Sequence, residues 1–172
     1  ADLIQRAIKF EQQNFLYIKA LGSPWVQFNG QTLNLSHRQI EILCILALHP
    51  HGIGLEELHY ALYGERSVSL KTLKAELSQL RSLLPHSIEA RIYRLSCEVQ
   101  CDFLRAEQSL NANLISSTFS LYKGSFLSKS ESPLLSTWRH CFDARLSQLI
   151  YQIKDIDQLL RIIGQTHDRI DA

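Results

Sequence analysis

The segment SVSLKTLKAELSQLRSLL, Ser67 to Leu84, decides how the rest of the chain is read. Its leucines at 73, 77, 80 and 84 recur at steps of four, three and four, the spacing of one helical face. With those leucines turned inward, Lys71, Thr72, Lys74, Ala75 and Ser78 share the opposite flank, and Arg81 lies lower on the same helix. Small side chains on that flank permit close approach, and lysines there can meet phosphates or guanine edges. A lone helix with two lysines is ordinarily just a solvated face. The order of its neighbours has to settle which it is.

Upstream, Ser36 followed by Gln39 makes a capping box that opens HRQIEILCILALH, and Pro50 with Gly52 closes that helix. A shorter helix, GLEELHYALYG, carries Leu55, Leu58 and Leu62 on one side and stops at Gly64, and the loop ERSV leads into the Ser67–Leu84 segment. Before these helices, FLYIKALGSPWVQFNGQTLNL holds β-branched and aromatic residues around Gly-Ser-Pro and an Asn29-Gly30 pair, the signal of a type I′ hairpin. It predicts three short antiparallel strands. After Pro85, SIEARIYRLSCEVQC reads as a β-ribbon of two strands. Residues 2–14 place Leu3 or Ile4, Ala7 or Ile8, and Phe10 at helical spacing, as the end of a linker helix would. Strands, three helices and a hairpin, in that order, are the winged helix-turn-helix arrangement, whose third helix enters the DNA major groove.

The stretch from Leu35 to Leu84 resembles the DNA-binding domain of the OmpR/PhoB-type response regulators. It resembles more closely the bacterial transcriptional activators of antibiotic pathways. The matching residues are Glu56-Glu57-Leu58, Ala61-Leu62-Tyr63-Gly64, then Leu73, Leu77, Ser78, Leu80, Arg81 and Leu84, with Tyr93-Arg94-Leu95 matching the strand that leaves the wing. The resemblance covers about residues 15–104. It implies a recognition helix over about 69–84 and a wing over 88–99. Lys71, Thr72, Lys74 and Ser78 then occupy DNA-facing positions beside Ala75 and Arg81, Arg66 and Ser67 are loop phosphate contacts, and Arg91 and Arg94 lie on the wing. The tip SIEARIYRL departs from the family in lacking glycine.

Farther on, Leu121-Tyr122, Gly124, Phe126-Leu127, Trp138, Arg139 and Leu146 are similar to the opening of the bacterial transcriptional activator domain, a tetratricopeptide-like helical region. That domain stacks several helical pairs, whereas this chain ends soon after one long helix. Isolated repeat units cannot bury their apolar faces alone. Leu135, Trp138, Phe142, Leu146, Leu149, Ile153, Ile156, Leu160 and Ile163 form a stripe of alternating threes and fours, with Pro133 suited to the helix start and Gly164 to its end. This stripe either packs on helices within 103–122 of the same chain or serves as a dimerisation seam, for which Leu135, Trp138, Phe142, Leu149, Ile153, Ile156 and Leu160 are the candidates.

The expected fold is therefore α+β and mainly helical: a linker helix in 1–14, a winged helix in 15–101 with a leading antiparallel sheet, and a helical region in 102–172. A chain of 172 residues, 45% hydrophobic and 20% charged, can bury a core of that size. An alanine at position 1 and the lack of Met predict a piece of a longer protein. The longest apolar run, Ile42 to Leu48, is far short of the roughly 20 residues that span a bilayer, and no signal peptide is apparent, so the expected location is cytoplasmic.

Cys97 and Cys101, four apart on a strand, would be roughly 13 Å from each other, too far for a shared metal or a disulfide. With Cys44 and Cys141 inside helices, the four cysteines read as small core residues in a reducing compartment. No phosphate loop, nucleophile elbow, carboxylate pair or metal-ligand cluster appears, which argues against an enzyme, a cofactor or a small-molecule substrate. The partners implied are double-stranded DNA, RNA polymerase and a second copy of the chain. Charge tempers this reading: from Ser36 to Leu95 seven basic residues face six acidic ones, a net of +1, and duplex affinity depends on neutralising phosphates. A winged helix turned protein-interaction module is the alternative.

Overall fold

β1 (Phe15–Lys19) alternates half-buried and buried positions, with Leu16 and Ile18 facing the core. The computed structural model describes residues 3–4 and 13–170, so the expected linker helix falls outside the described residues apart from Leu3, Ile4, Gln13 and Asn14. The chain divides into two compact units, 1–139 and 140–172.

In the first unit, β1 pairs antiparallel with β2 (Trp25–Phe28), which pairs antiparallel with β3 (Gln31–Leu33). Asn29 and Gly30 both take positive φ, 50° and 80°, as a type I′ turn requires. The Asn29 side-chain oxygen also accepts from the Phe15 N–H at 2.8 Å.

The three strands expected at the start of the chain are present, but the sheet is mixed. β6 (Glu98–Cys101) runs parallel to β1, with Leu16 opposite Val99 and Ile18 opposite Cys101. The single ribbon expected over Ser87–Cys101 is thus corrected. A short ribbon, β4 (Ile88–Glu89) with β5 (Arg94–Leu95), precedes β6, and β6 leaves it to close the edge of β1. Alternating burial marks a strand but does not name its partner, and the open edge of β1 supplies one.

α1 (His37–Leu48) begins at the predicted capping box: Ser36 Oγ accepts from Gln39 N–H at 3.2 Å, and Gln39 Oε1 accepts from Ser36 N–H at 3.0 Å. α2 (Leu55–Tyr63) ends at Gly64, whose φ of 59° suits glycine. α3 (Leu70–Leu83) is capped by Ser69, which accepts from Thr72 N–H at 3.2 Å. Leu73, Leu77, Leu80 and Leu84 are 0, 1, 0 and 0% exposed.

α4 (Asp102–Asn111) and α5 (Ile115–Leu121) follow, then a loop whose Phe126 bridges Leu21, then α6 (Pro133–Ile170). Phe103, Phe126 and Trp138 pack ring on ring with centroids 4.6–5.3 Å apart. The buried Asp102 carboxylate accepts from the N–H groups of Ala20 (2.8 Å), Leu21 (2.9 Å) and Phe103 (2.7 Å). Burial pushes this carboxyl above its ordinary value, opposed by those hydrogen bonds and by Lys19.

Burial holds the thiols of Cys44 and Cys97 above their usual value and pushes that of Cys101 up to about 12, so these three stay protonated. Cys141 is exposed, which corrects its reading as a core residue. α6 also runs past Gly164, the expected stop. A single glycine inside a helix costs only about 1 kcal/mol, too little to end it without other help.

The described part of the second unit, residues 140–170, is the later part of α6. Phe142 and Leu146 are buried, Leu149 and Ile153 half-buried, and Ile156 and Leu160 are 55% and 61% exposed.

Leu77→Ala is expected to cost about 2–5 kcal/mol in denaturant unfolding, from lost transfer energy and the residual cavity. Asp102→Ala is expected to cost about 1–3 kcal/mol by leaving the Ala20 and Leu21 N–H groups unpaired. Because the folded carboxyl of Asp102 holds its proton more tightly than the unfolded one, its contribution to stability is lost as pH rises through the folded value. On acidification from neutral, wild type should therefore gain stability relative to Asp102→Asn.

Candidate nucleic-acid interface

The four buried leucines fix the rotation of α3. With Leu73, Leu77 and Leu80 turned into the core and Leu84 buried at the C-cap, the opposite strip faces out, while Leu70 and Leu83 at the helix ends stay exposed. Lys71, Thr72, Lys74, Ala75, Ser78 and Arg81 are all exposed. Ser82, four residues beyond Ser78 on the same face, is exposed too and extends the strip, an addition that helical spacing alone could have found. Thr72 is partly committed to the cap, its hydroxyl lying 2.9 Å from Ser69 Oγ.

The structure sorts the remaining predicted cations into two kinds. Arg66, in the loop before α3, pairs with Glu131 at 2.7 Å, and Arg94 on β5 makes a forked pair with Glu89 at 2.8 and 2.9 Å. Both are exposed pairs, worth little and open to exchange. Lys71, Lys74, Arg81 and Arg91 make no ion pair among the described residues. The partner of Arg66 lies 65 positions along the chain, beyond the reach of local patterns.

The wing is short. Two residues pair on each side, and Tyr93 adds a bridge to Ile53, with N–H to carbonyl bonds in both directions at 2.9 and 3.0 Å. Arg91, in the turn between the strands, holds φ at 78°, a conformation that the missing glycine would have taken without strain. The tip is therefore a strained, exposed arginine. Ser67 is exposed in the loop ahead of α3.

In the stripe on α6, Leu135 and Phe142 are buried and Trp138 packs on Phe103 and Phe126. Leu135 and Trp138 thus pack within the first unit, where Trp138 covers the aromatic pair Phe103 and Phe126. Leu149, Ile153, Ile156 and Leu160 retain exposed surface.

Among the described residues, no group of three or more His, Cys, Asp or Glu could hold a metal ion, and no helix is long and apolar enough to cross a membrane.

No family model matches the chain. An uncharacterized 47.3 kDa protein in the thcA 5′ region of Rhodococcus erythropolis is 28% identical over 152 residues, 88% of this chain and 35% of that protein. Among solved structures, Mycobacterium tuberculosis EmbR in complex with a low affinity phosphopeptide is similar, with a TM-score of 0.60 and 17% identity over 80% of this chain and 44% of that one. The chain thus spans about a third of the curated relative and less than half of EmbR. The likeness to EmbR is one of fold, and the fold is a winged helix-turn-helix followed by a helical extension.

Proposed function

We propose that residues 15–101 form a sequence-specific double-stranded DNA-binding domain of a bacterial transcriptional regulator, of the OmpR/PhoB type. In this reading α3 lies in the major groove, with the ribbon 88–95 as its wing. Residues 102–172 form an activator-like helical and dimerising region, and RNA polymerase is the partner engaged once DNA is held. One observation carries the proposal: α3 buries Leu73, Leu77 and Leu80, with Leu84 buried at its C-cap, and leaves a contiguous exposed strip of Lys71, Thr72, Lys74, Ala75 and Ser78. Groove entry needs a helix that is anchored on one side and small and basic on the other. Lys71, Lys74, Arg81 and Arg91, without ion pairs among the described residues, supply the phosphate-directed charge, while Arg66 and Arg94 can exchange Glu131 and Glu89 for DNA phosphates. The exposed apolar surface of Leu149, Ile153, Ile156 and Leu160 supports a homodimer, which would add the binding energies of two half-sites.

The protein-interaction reading draws on those same two carboxylate-paired arginines and on the two-residue wing strands. Selection from random genomic duplexes separates the two, since an interaction module enriches no sequence.

Lys71→Ala with Lys74→Ala is expected to weaken binding of a selected duplex at least about tenfold and to lower the slope of log K against log salt by about 2. An unchanged slope would refute groove entry by α3. Glu131→Gln, by releasing Arg66, is expected to tighten duplex binding a few-fold. Arg91→Gly is expected to raise stability by up to about 1 kcal/mol while weakening the duplex complex, since it relieves the positive φ and removes a cation. In sedimentation, Ile156→Asp with Leu160→Asp should convert a dimer to a monomer.

A further inference from the structure

Between the β1–β2 turn, the first turn of α1 and the loop from Lys123 to Lys129 lies a cavity of about 650 Å³, within the roughly 300–1,000 Å³ span of small-ligand sites. We propose that it binds a phosphate monoester with a compact organic portion.

Its floor is main chain against main chain. Gly22 and Gly124 hold φ at 88° and 148°, and a Cβ on Gly124 would stand 2.9 Å from the Gly22 Cα, while one on Gly22 would stand 2.9 Å from the Lys123 carbonyl oxygen. The Gly22 N–H donates to the Ser125 carbonyl at 3.3 Å, and Leu21 bridges Phe126 beside it. Only two glycines allow this crossing, so the floor is a built feature and not an accident of side-chain packing.

The walls select the ligand. Lys123 and Lys129 line it together with His37, Ser23, Ser125 and Ser128, and none of the lining residues is acidic. His37 is the first residue of the twelve-residue α1, whose N-terminus adds partial positive charge. Glu41 is 3.3 Å from the His37 ring, but it is buried and already held by Arg38 and Ser130, both at 2.6 Å. A lining with two lysines, several serines and no acidic residue suits a dianion with three acceptor oxygens far better than a cation. The volume exceeds what a bare phosphate needs, and the exposed ring of Pro24 gives the remainder an apolar side where an organic group can rest.

The same chemistry could come from a DNA backbone, so the test has two arms. In the first, calorimetric titrations of the 172-residue chain at constant ionic strength use phenyl phosphate, inorganic phosphate and chloride. Saturable binding is expected, phenyl phosphate tighter than inorganic phosphate and both above chloride. Lys123→Gln with Lys129→Gln should weaken both phosphates at least about tenfold at an unchanged melting temperature. Ser128→Glu, which places a carboxylate in the wall, should do the same, while Lys71→Ala with Lys74→Ala should leave phenyl phosphate binding intact.

In the second arm, the Lys123/Lys129 variant is titrated with the selected duplex, and unchanged duplex affinity is expected. Phosphates no tighter than chloride, or bound equally by wild type and the lysine variant, would overturn the proposal. So would loss of duplex affinity in that variant with no phenyl phosphate binding by wild type, which would assign the two lysines to the polymer's backbone.

Discussion

Burial of one row of leucines on α3 governs what the first unit can present to a partner. Each of the four contributes on the order of 1.5–3 kcal/mol by leaving water, and together they hold the helix against rotation about its own axis. A turn of one residue would expose an apolar row and bury an ammonium group, a change that desolvation makes prohibitive. The cationic strip is therefore positioned by the core, and needs no bonds of its own to face outward.

Two buried carboxylates fasten the winged part to the segments that follow it in the first unit. Asp102 gathers three backbone N–H groups where β1 ends and α4 begins, so the parallel pairing of β6 with β1 ends in a polar clasp. Glu41, inside α1, accepts from Ser130 at 2.6 Å and pairs with Arg38, whose guanidinium also lies 4.6 Å over the Tyr63 ring. Arg139 then ties the loop from the other side, donating to the carbonyls of Phe126, Leu127 and Ser130. Buried charges of this kind add little net stability but punish any rearrangement that breaks them, which keeps the loop after α5 registered on α1 and the β1–β2 turn.

Local signals were readable where a short stretch contains both halves of an interaction. The Ser36–Gln39 box, the Asn29-Gly30 turn and the leucine spacing of α3 each close within a few residues, and each appears as expected. The partner of β6 was not readable, because Leu95, Cys97, Val99 and Cys101 alternate in the same way whether they pair with β4 or with β1. The fate of the α6 stripe was likewise hidden. A run of threes and fours states that one face is apolar and says nothing of whether Phe103 and Phe126 or another chain will cover it.

The sequence alone determined the element order, the caps and turns, and which face of α3 goes inward, since these depend on chemistry between near neighbours and on burial periodicity. Tertiary structure alone decided that Glu131 meets Arg66, that β6 closes the edge of β1, and that Gly22 and Gly124 cross beside a cavity that two lysines help to line. Those pairings join residues tens of positions apart, and only the folded path of the backbone brings them within a few ångströms.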